Sequence, residues 1–182
     1  MTINFPTNFA VFLLFSVLIT GCQKKDTTHG EEEINEAVIV ELSEGLPPFE
    51  CAGSAPELIT TVYTNEIANG ACLPQIQNFD LPIGSGNAFG IIIKNQASFQ
   101  KLIKCNSFPG SIDFNKYFVL AGFYYKSKTF LDSLTLFTCD NNLVFKMDMS
   151  DGVGGDVGFV FSMAVVDRKY LGKEIVFDMQ LK

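Results

Sequence analysis

From residue 89 onward, apolar residues recur at every second position, and that period decides what this chain can fold into. In "NLVFKMDM", Leu143, Phe145, Met147 and Met149 alternate with Val144, Lys146 and Asp148. In "KEIVFDMQLK", Ile175, Phe177, Met179 and Leu181 alternate with Glu174, Val176, Asp178 and Gln180. Successive side chains of a strand point to opposite faces, so each run predicts a strand with one face on a core and one toward water. "KYFVLAGFYY" (116–125) and "VGFVFSMAVV" (157–166) are apolar on both faces and read as central strands. "SLTLFTC" joins "LVFKMDM" through Asp140-Asn141-Asn142, residues that tolerate the left-handed backbone of a tight hairpin. "DGVGGDVG" reads as a glycine-rich hairpin loop. One helix interrupts: in "NQASFQKLIKC", Phe99, Leu102 and Ile103 share a face, and Asn95 or Ser98 can cap the start. The expectation is a mainly β fold, an antiparallel sandwich or open barrel, with one short helix near 96–105.

Residues 45–182 are 138 residues long, the usual size of one domain with its own core. Eighteen Phe and no Trp in the whole chain point to a Phe-rich core. Within "GLPPFECAGSAPE", Pro47 and Pro48 bar regular structure. Ahead of it, residues 22–44 form an acidic stretch. From Gln23 to Glu44, two lysines against seven acids leave a net charge of −5, while eleven basic and thirteen acidic residues leave the domain at −2. The early part of this stretch has little to bury and reads as a tether. "AVIVEL" at 37–42 is apolar enough to be a strand joining the domain. Nothing in the chain is basic enough to suggest nucleic acid.

The apolar run from Phe9 to Ile19 is eleven residues long, whereas a bilayer core asks for about 20 helical residues. That length fits the core of a secretion signal. It ends in Ile19-Thr20-Gly21-Cys22, which resembles the lipobox of bacterial lipoproteins: an aliphatic residue, a small one, Gly or Ala, then the lipidated cysteine. The resemblance implies a signal peptide over 1–21 and cleavage before Cys22, whose thiol receives lipid. "MTINFPTN" lacks the basic residues usual in such signals. Each buried methylene contributes about 0.8 kcal/mol, so several acyl chains, palmitate among them, hold firmly where one binds marginally. Gln23 in place of Asp after the cysteine favours the outer membrane of a Gram-negative bacterium, on its periplasmic face or at the cell surface.

Four cysteines remain for the domain: Cys51, Cys72, Cys105 and Cys139. An even number in an exported domain favours disulfides, and four cysteines allow about three connectivities. Cys51–Cys72 with Cys105–Cys139 is expected, since each pair lies within one half of the domain. No C-x-x-C or Cys/His pair suggests a metal, and no cofactor is expected.

His29, the single histidine, falls in the tether, which takes Ser-His and Cys-His catalysis away from the domain. No S-x-x-K or G-x-S-x-G motif occurs, and "GSG" at 84–86 is a loop signal. Asp148, Asp151 and Asp156 cluster near one loop, so a carboxylate-based hydrolase stands as a third reading. Aspartates flanked by glycine in a hairpin loop are more simply turn residues, and "DMSDGVGGD" lacks the spacing and the Glu of a calcium loop. Tyr63, Tyr117, Tyr124, Tyr125 and Tyr170 would suit a sugar platform, but "FYY" in an apolar strand is more simply core.

"SFQKLIKCNSFPGSIDFNKYFVLAGFYYKS" sets out a short helix, a linker, "IDFNKY" and a central strand. Over residues 98–182 the chain resembles the PrcB-like exported lipoproteins, related to a subunit of a surface protease complex. Phe99, Ile112, Asp113, Phe114 and the strand to Tyr125 carry the likeness. "KSKTFLDS" departs from it, since the family has a Gly-Gly-Tyr-like turn there. The resemblance implies a binding role and no enzymatic one, with Asp113 turning the chain into the strand. Together these readings predict a lipid-anchored envelope protein, tied to the membrane through Cys22, whose non-catalytic domain binds another envelope protein. A glycan- or peptide-ligand module is the alternative.

Overall fold

The computed structural model describes residues 37–43, 45–61, 63–66, 72–75, 87–106, 111–126, 128–152 and 159–182. The lipobox with Cys22, the tether to residue 36 with His29, the "GSG" at 84–86 and most of "DGVGGDVG" with Asp156 lie outside them. In chain order run β1 (Ala37–Leu42), β2 (Glu57–Leu58), β3 (Tyr63–Glu66), β4 (Cys72–Pro74), β5 (Asn87–Ile93), α1 (Gln96–Leu102), β6 (Ile103–Cys105), β7 (Tyr117–Tyr125), β8 (Thr129–Cys139), β9 (Asn142–Asp151), β10 (Val160–Asp167) and β11 (Glu174–Leu181). They form a five-stranded sheet ordered β1-β5-β7-β10-β3, a four-stranded sheet ordered β11-β9-β8-β2, and a ribbon of β4 with β6.

The two larger sheets face each other. Phe118, Leu120 and Tyr124 of β7, with Val160, Ala164 and Val166 of β10, meet Leu143, Phe145, Met147 and Met149 of β9 in one buried cluster. Alternation along β9 therefore does what the sequence predicts, and its four inward residues are fully buried. The other face of the five-stranded sheet is covered too. Phe89, Ile91, Ile93, Val119, Ala121, Phe123, Phe161, Met163 and Val165 pack under Phe99 and Leu102 of α1, with Ile103, Ile112 and Cys72. That explains why "KYFVLAGFYY" and the strand within "VGFVFSMAVV" are apolar on both sides. The architecture is a β sandwich with one helix on its outer face, and no barrel closes among the described strands.

Asn95 caps α1, its side chain accepting from the Ser98 N–H at 2.7 Å. The helix ends at Leu102 and the chain continues as β6, so Ile103 and Cys105 are extended. At the β8–β9 hairpin Asp140 takes φ 52°, the left-handed turn position expected there. One pairing is not antiparallel. β9 and β11 run parallel, from Asn142↔Glu174 to Met149↔Leu181. Parallel neighbours need a crossover, and β10, lying in the other sheet, supplies it. β1 is paired along its length with β5, Ala37↔Ile93 to Leu42↔Ala88, so the folded unit takes in "AVIVEL" ahead of the boundary at 45 drawn from charge.

Two expectations are overturned. The disulfides are Cys51–Cys139 and Cys72–Cys105, with Cα atoms 5.9 and 3.9 Å apart, in place of Cys51–Cys72 and Cys105–Cys139. Cys72 and Cys105 are register partners in the β4–β6 ribbon, which holds the chain before β5 against the chain after α1. Cys51 reaches the end of β8 because residues 46–56 are laid across the outer face of the four-stranded sheet, where Phe49 and Cys51 pack on Phe137, Cys139, Val144 and Val176. Dividing the chain into halves failed because both sheets draw strands from both halves. The second correction is Asp178. Alternation places it toward water, yet it is buried at 4 % exposure, because the same strap covers that face.

Candidate functional site

The two sheets are offset sideways. A Cβ on Gly90 of β5 would run into the Phe177 ring of β11, and one on Gly122 of β7 would meet Met147 and Met179, so β5 stands over β11 and β7 over β9. β1 thus overhangs the edge of the four-stranded sheet with no described strand beneath it. Val38, facing the same way as Gly90's neighbour Val40, is 41 % exposed as a result. After Leu42 the chain leaves this overhang and turns at Gly45, whose φ of 73° favours glycine, then passes around β11 as the strap.

The crossing leaves a cleft of about 400 Å³ between the strap and the end of the sandwich. Its floor is Ala88, Tyr124, Met149, Phe177 and Leu181, and its outer wall is Leu42, Leu46, Pro47 and Phe49. Polar groups are few: Ser43, Lys126, Asp178 and Gln180. A mostly apolar concavity with a few convergent polar groups is the form that binding sites take, with volumes of about 300–1,000 Å³.

Asp178 is the charged group placed deepest. Its Oδ2 accepts from the Phe49 N–H at 3.3 Å and its Oδ1 from the Gln180 Nε2 at 2.6 Å. Gln180 Nε2 also donates to the Leu46 carbonyl at 3.4 Å, joining strap and strand. Lys146 Nζ lies 4.0 Å from Asp178 and 3.9 Å from Asp148. A buried carboxylate persists only where hydrogen bonds and counter-charge offset its lost hydration, and these three partners do so. The alternating pattern hid Asp178, but a signal was present. Val144 and Val176 sit on the nominally wet faces of β9 and β11 and are register partners, an apolar stripe that needs a cover.

Beyond Cys51, the strap is held by Asp140. Its Oδ2 accepts from the Ala52 N–H and its Oδ1 from the Ser54 N–H, each at 3.1 Å, while the Asp140 N–H donates to Ser54 Oγ at 2.7 Å. The Ser54 side chain chiefly, and then the backbone N–H groups of residues 52–54, hold the exposed Asp140 carboxyl below its ordinary value.

The aspartates weighed for catalysis are otherwise engaged. Asp148 accepts from Ser133 Oγ at 3.2 Å and pairs with Lys182 at 3.2 Å. Asp151 is exposed and pairs with Lys126 at 3.3 Å. Neither lines the cleft. Among the described residues no group of three His, Cys, Asp or Glu could hold a metal ion, and no helix is long and apolar enough to cross a membrane. The tyrosines divide between cores: Tyr117 and Tyr125 pack against the helix side, Tyr124 and Tyr170 against the cluster between the sheets. Tyr124 alone of these four lines the cleft; the Tyr63 side chain lies outside the described atoms.

The positions that carry the PrcB-like resemblance are packing positions. Phe99 and Phe114 meet with ring centroids 6.0 Å apart, and Ile112 is buried beside them. Asp113 turns the chain into β7: its Oδ1 accepts from the Asn115 N–H at 3.1 Å and its carbonyl from the Lys116 and Tyr117 N–H groups at 2.9 Å. Comparison with protein-family models, curated proteins and solved structures finds no match to this chain.

Proposed function

We propose that this chain is a lipid-anchored protein of a Gram-negative outer membrane, held through Cys22, whose β domain binds another envelope protein and performs no chemistry of its own. The observation that carries the reading is the agreement between its two ends. A lipobox-like Ile19-Thr20-Gly21-Cys22 precedes a domain whose four cysteines are all paired, as suits an oxidising compartment. Support for binding comes from the cleft, which is apolar, concave and free of the acid pairs or nucleophile–base contacts that hydrolysis calls for. Affinity capture of the tagged full-length protein from detergent-solubilised envelope should recover one partner reproducibly; recovery of the protein alone would count against the reading.

The cleft also favours a second reading, a module for a glycan or peptide ligand. Phe49, Tyr124 and Phe177 give it aromatic surface. A glycan array probed with the full chain in detergent separates the two, since saturable binding there is expected only of the second.

A further inference from the structure

Where a partner sits is a separate question, and the following rests on the partner-binding reading above. Large apolar side chains are exposed on two opposite edges of the four-stranded sheet. Leu58 and Phe130 stand at the β2–β8 edge; Leu46, with Val38 of the overhanging β1, stands at the β11 edge beside the cleft. The first edge is guarded. The Phe130 ring lies on Gly152, where a Cβ would collide with it. A register shift at Asp132 also interrupts β8, a device that discourages strand addition. The second edge is concave and ends on a buried charge.

We propose that the partner docks in this cleft, inserting an apolar segment of its chain that carries a lysine or arginine beside the anchoring side chains. The apolar part follows from the floor and wall of the cleft, which would otherwise hold water against Phe177, Met149 and Leu181. The basic residue follows from charge. A carboxylate can accept about four hydrogen bonds, and the Asp178 oxygens take two from neutral donors, with Lys146 at 4.0 Å and nearer to Asp148. The chain as a whole carries −7, so a basic segment is also steered toward it. The same argument rejects the chain's own tether as occupant, because residues 23–44 carry −5.

A photoreactive benzoylphenylalanine placed at Leu46, Leu58 or Phe130 of the full-length lipoprotein in living cells tests this. The docking site predicts protein adducts from Leu46 at least about tenfold above those from Leu58 or Phe130. The adduct should map to one partner segment with two or more large apolar residues and a Lys or Arg. Asp178→Asn should cut that adduct at least about fivefold, while Asp148→Asn, which touches the same lysine outside the cleft, should leave it within about twofold. Both variants are first checked for the two disulfides on non-reducing gels, and Leu46→Asp serves as a second variant that disturbs no packed residue. Adducts chiefly from Leu58 or Phe130 would overturn the cleft and leave partner binding standing. A Leu46 adduct to lipid or to a small molecule, or to an acidic segment, would overturn the proposed occupant. Adducts from none of the three positions would overturn both readings.

Discussion

Removing the strap disulfide, by Cys51→Ser with Cys139→Ser, is expected to be the most costly change available outside the core. Cys51 and Cys139 are separated by 88 residues. In the chain-entropy model, freeing a loop of that length restores about 4.6 kcal/mol of conformational freedom to the unfolded chain at 25 °C. The folded state gives little of this back, because Phe49 still packs on Val144 and Val176 and Asp140 still receives the N–H groups of Ala52 and Ser54. Domains of this size are stable by about 5–15 kcal/mol, so a third or more of the total is at stake. At roughly 2–4 °C per kcal/mol the melting temperature should fall by about 10–18 °C. Circular dichroism on the purified full-length protein in detergent, with urea titration as a second probe, measures the loss. A drop under about 3 °C, or peptide mapping that finds Cys51 joined to Cys72, would refute the reasoning, since either means the strap is not fastened where the loop calculation assumes.

Gly90→Ala should destabilise the fold by about 1–3 kcal/mol despite the better strand propensity of alanine, because the new Cβ meets the buried Phe177 ring; chemical denaturation measures it, and an unchanged midpoint would show that the sheets are not in contact there. Asp140 has a folded-state pKa below its unfolded value, so its contribution is present above the unfolded pKa and is lost as pH falls through the folded one. Asp140→Asn should therefore lower the urea midpoint at pH 7 and close the gap to the unaltered protein in acid; a gap that stays constant with pH would count against the hydrogen-bonded carboxylate. Cys22→Ser should leave the precursor uncleaved by the lipoprotein peptidase and unlabelled by radioactive palmitate, and normal acylation of that variant would show that another residue bears the lipid.

Much of the sandwich is legible in the sequence because its strands are long and their periods clean. Leu143, Phe145, Met147 and Met149 announce one buried face, and the unbroken apolar runs of β7 and β10 announce two. Asn95, two residues before the alanine of "NQASF", marks the start of α1, and Asp140 marks the hairpin. These are local signals, set by neighbours within a few residues. The strap and the cleft are not local. Period two tells which side chains share a face but not what lies on that face, so Asp178 reads as solvated while a segment about 130 residues away in sequence, at Phe49, lies over it. The disulfide pairing was missed for the same reason, because proximity along the chain is a poor guide once β10 and β11 alternate between sheets. The cleft comes from the sideways offset of two sheets, which no single strand records.

The central claim is that the lipid anchor serves a domain that holds a partner. Crosslinking in intact cells before lysis, followed by purification of the tagged lipoprotein and quantitative mass spectrometry, tests it most directly. The account predicts one envelope protein enriched in near-stoichiometric amount and lost when Leu46→Asp fills the mouth of the cleft with a charge. Recovery of the lipoprotein free of any protein partner, at crosslinker levels that join known neighbours in the same envelope, would contradict it.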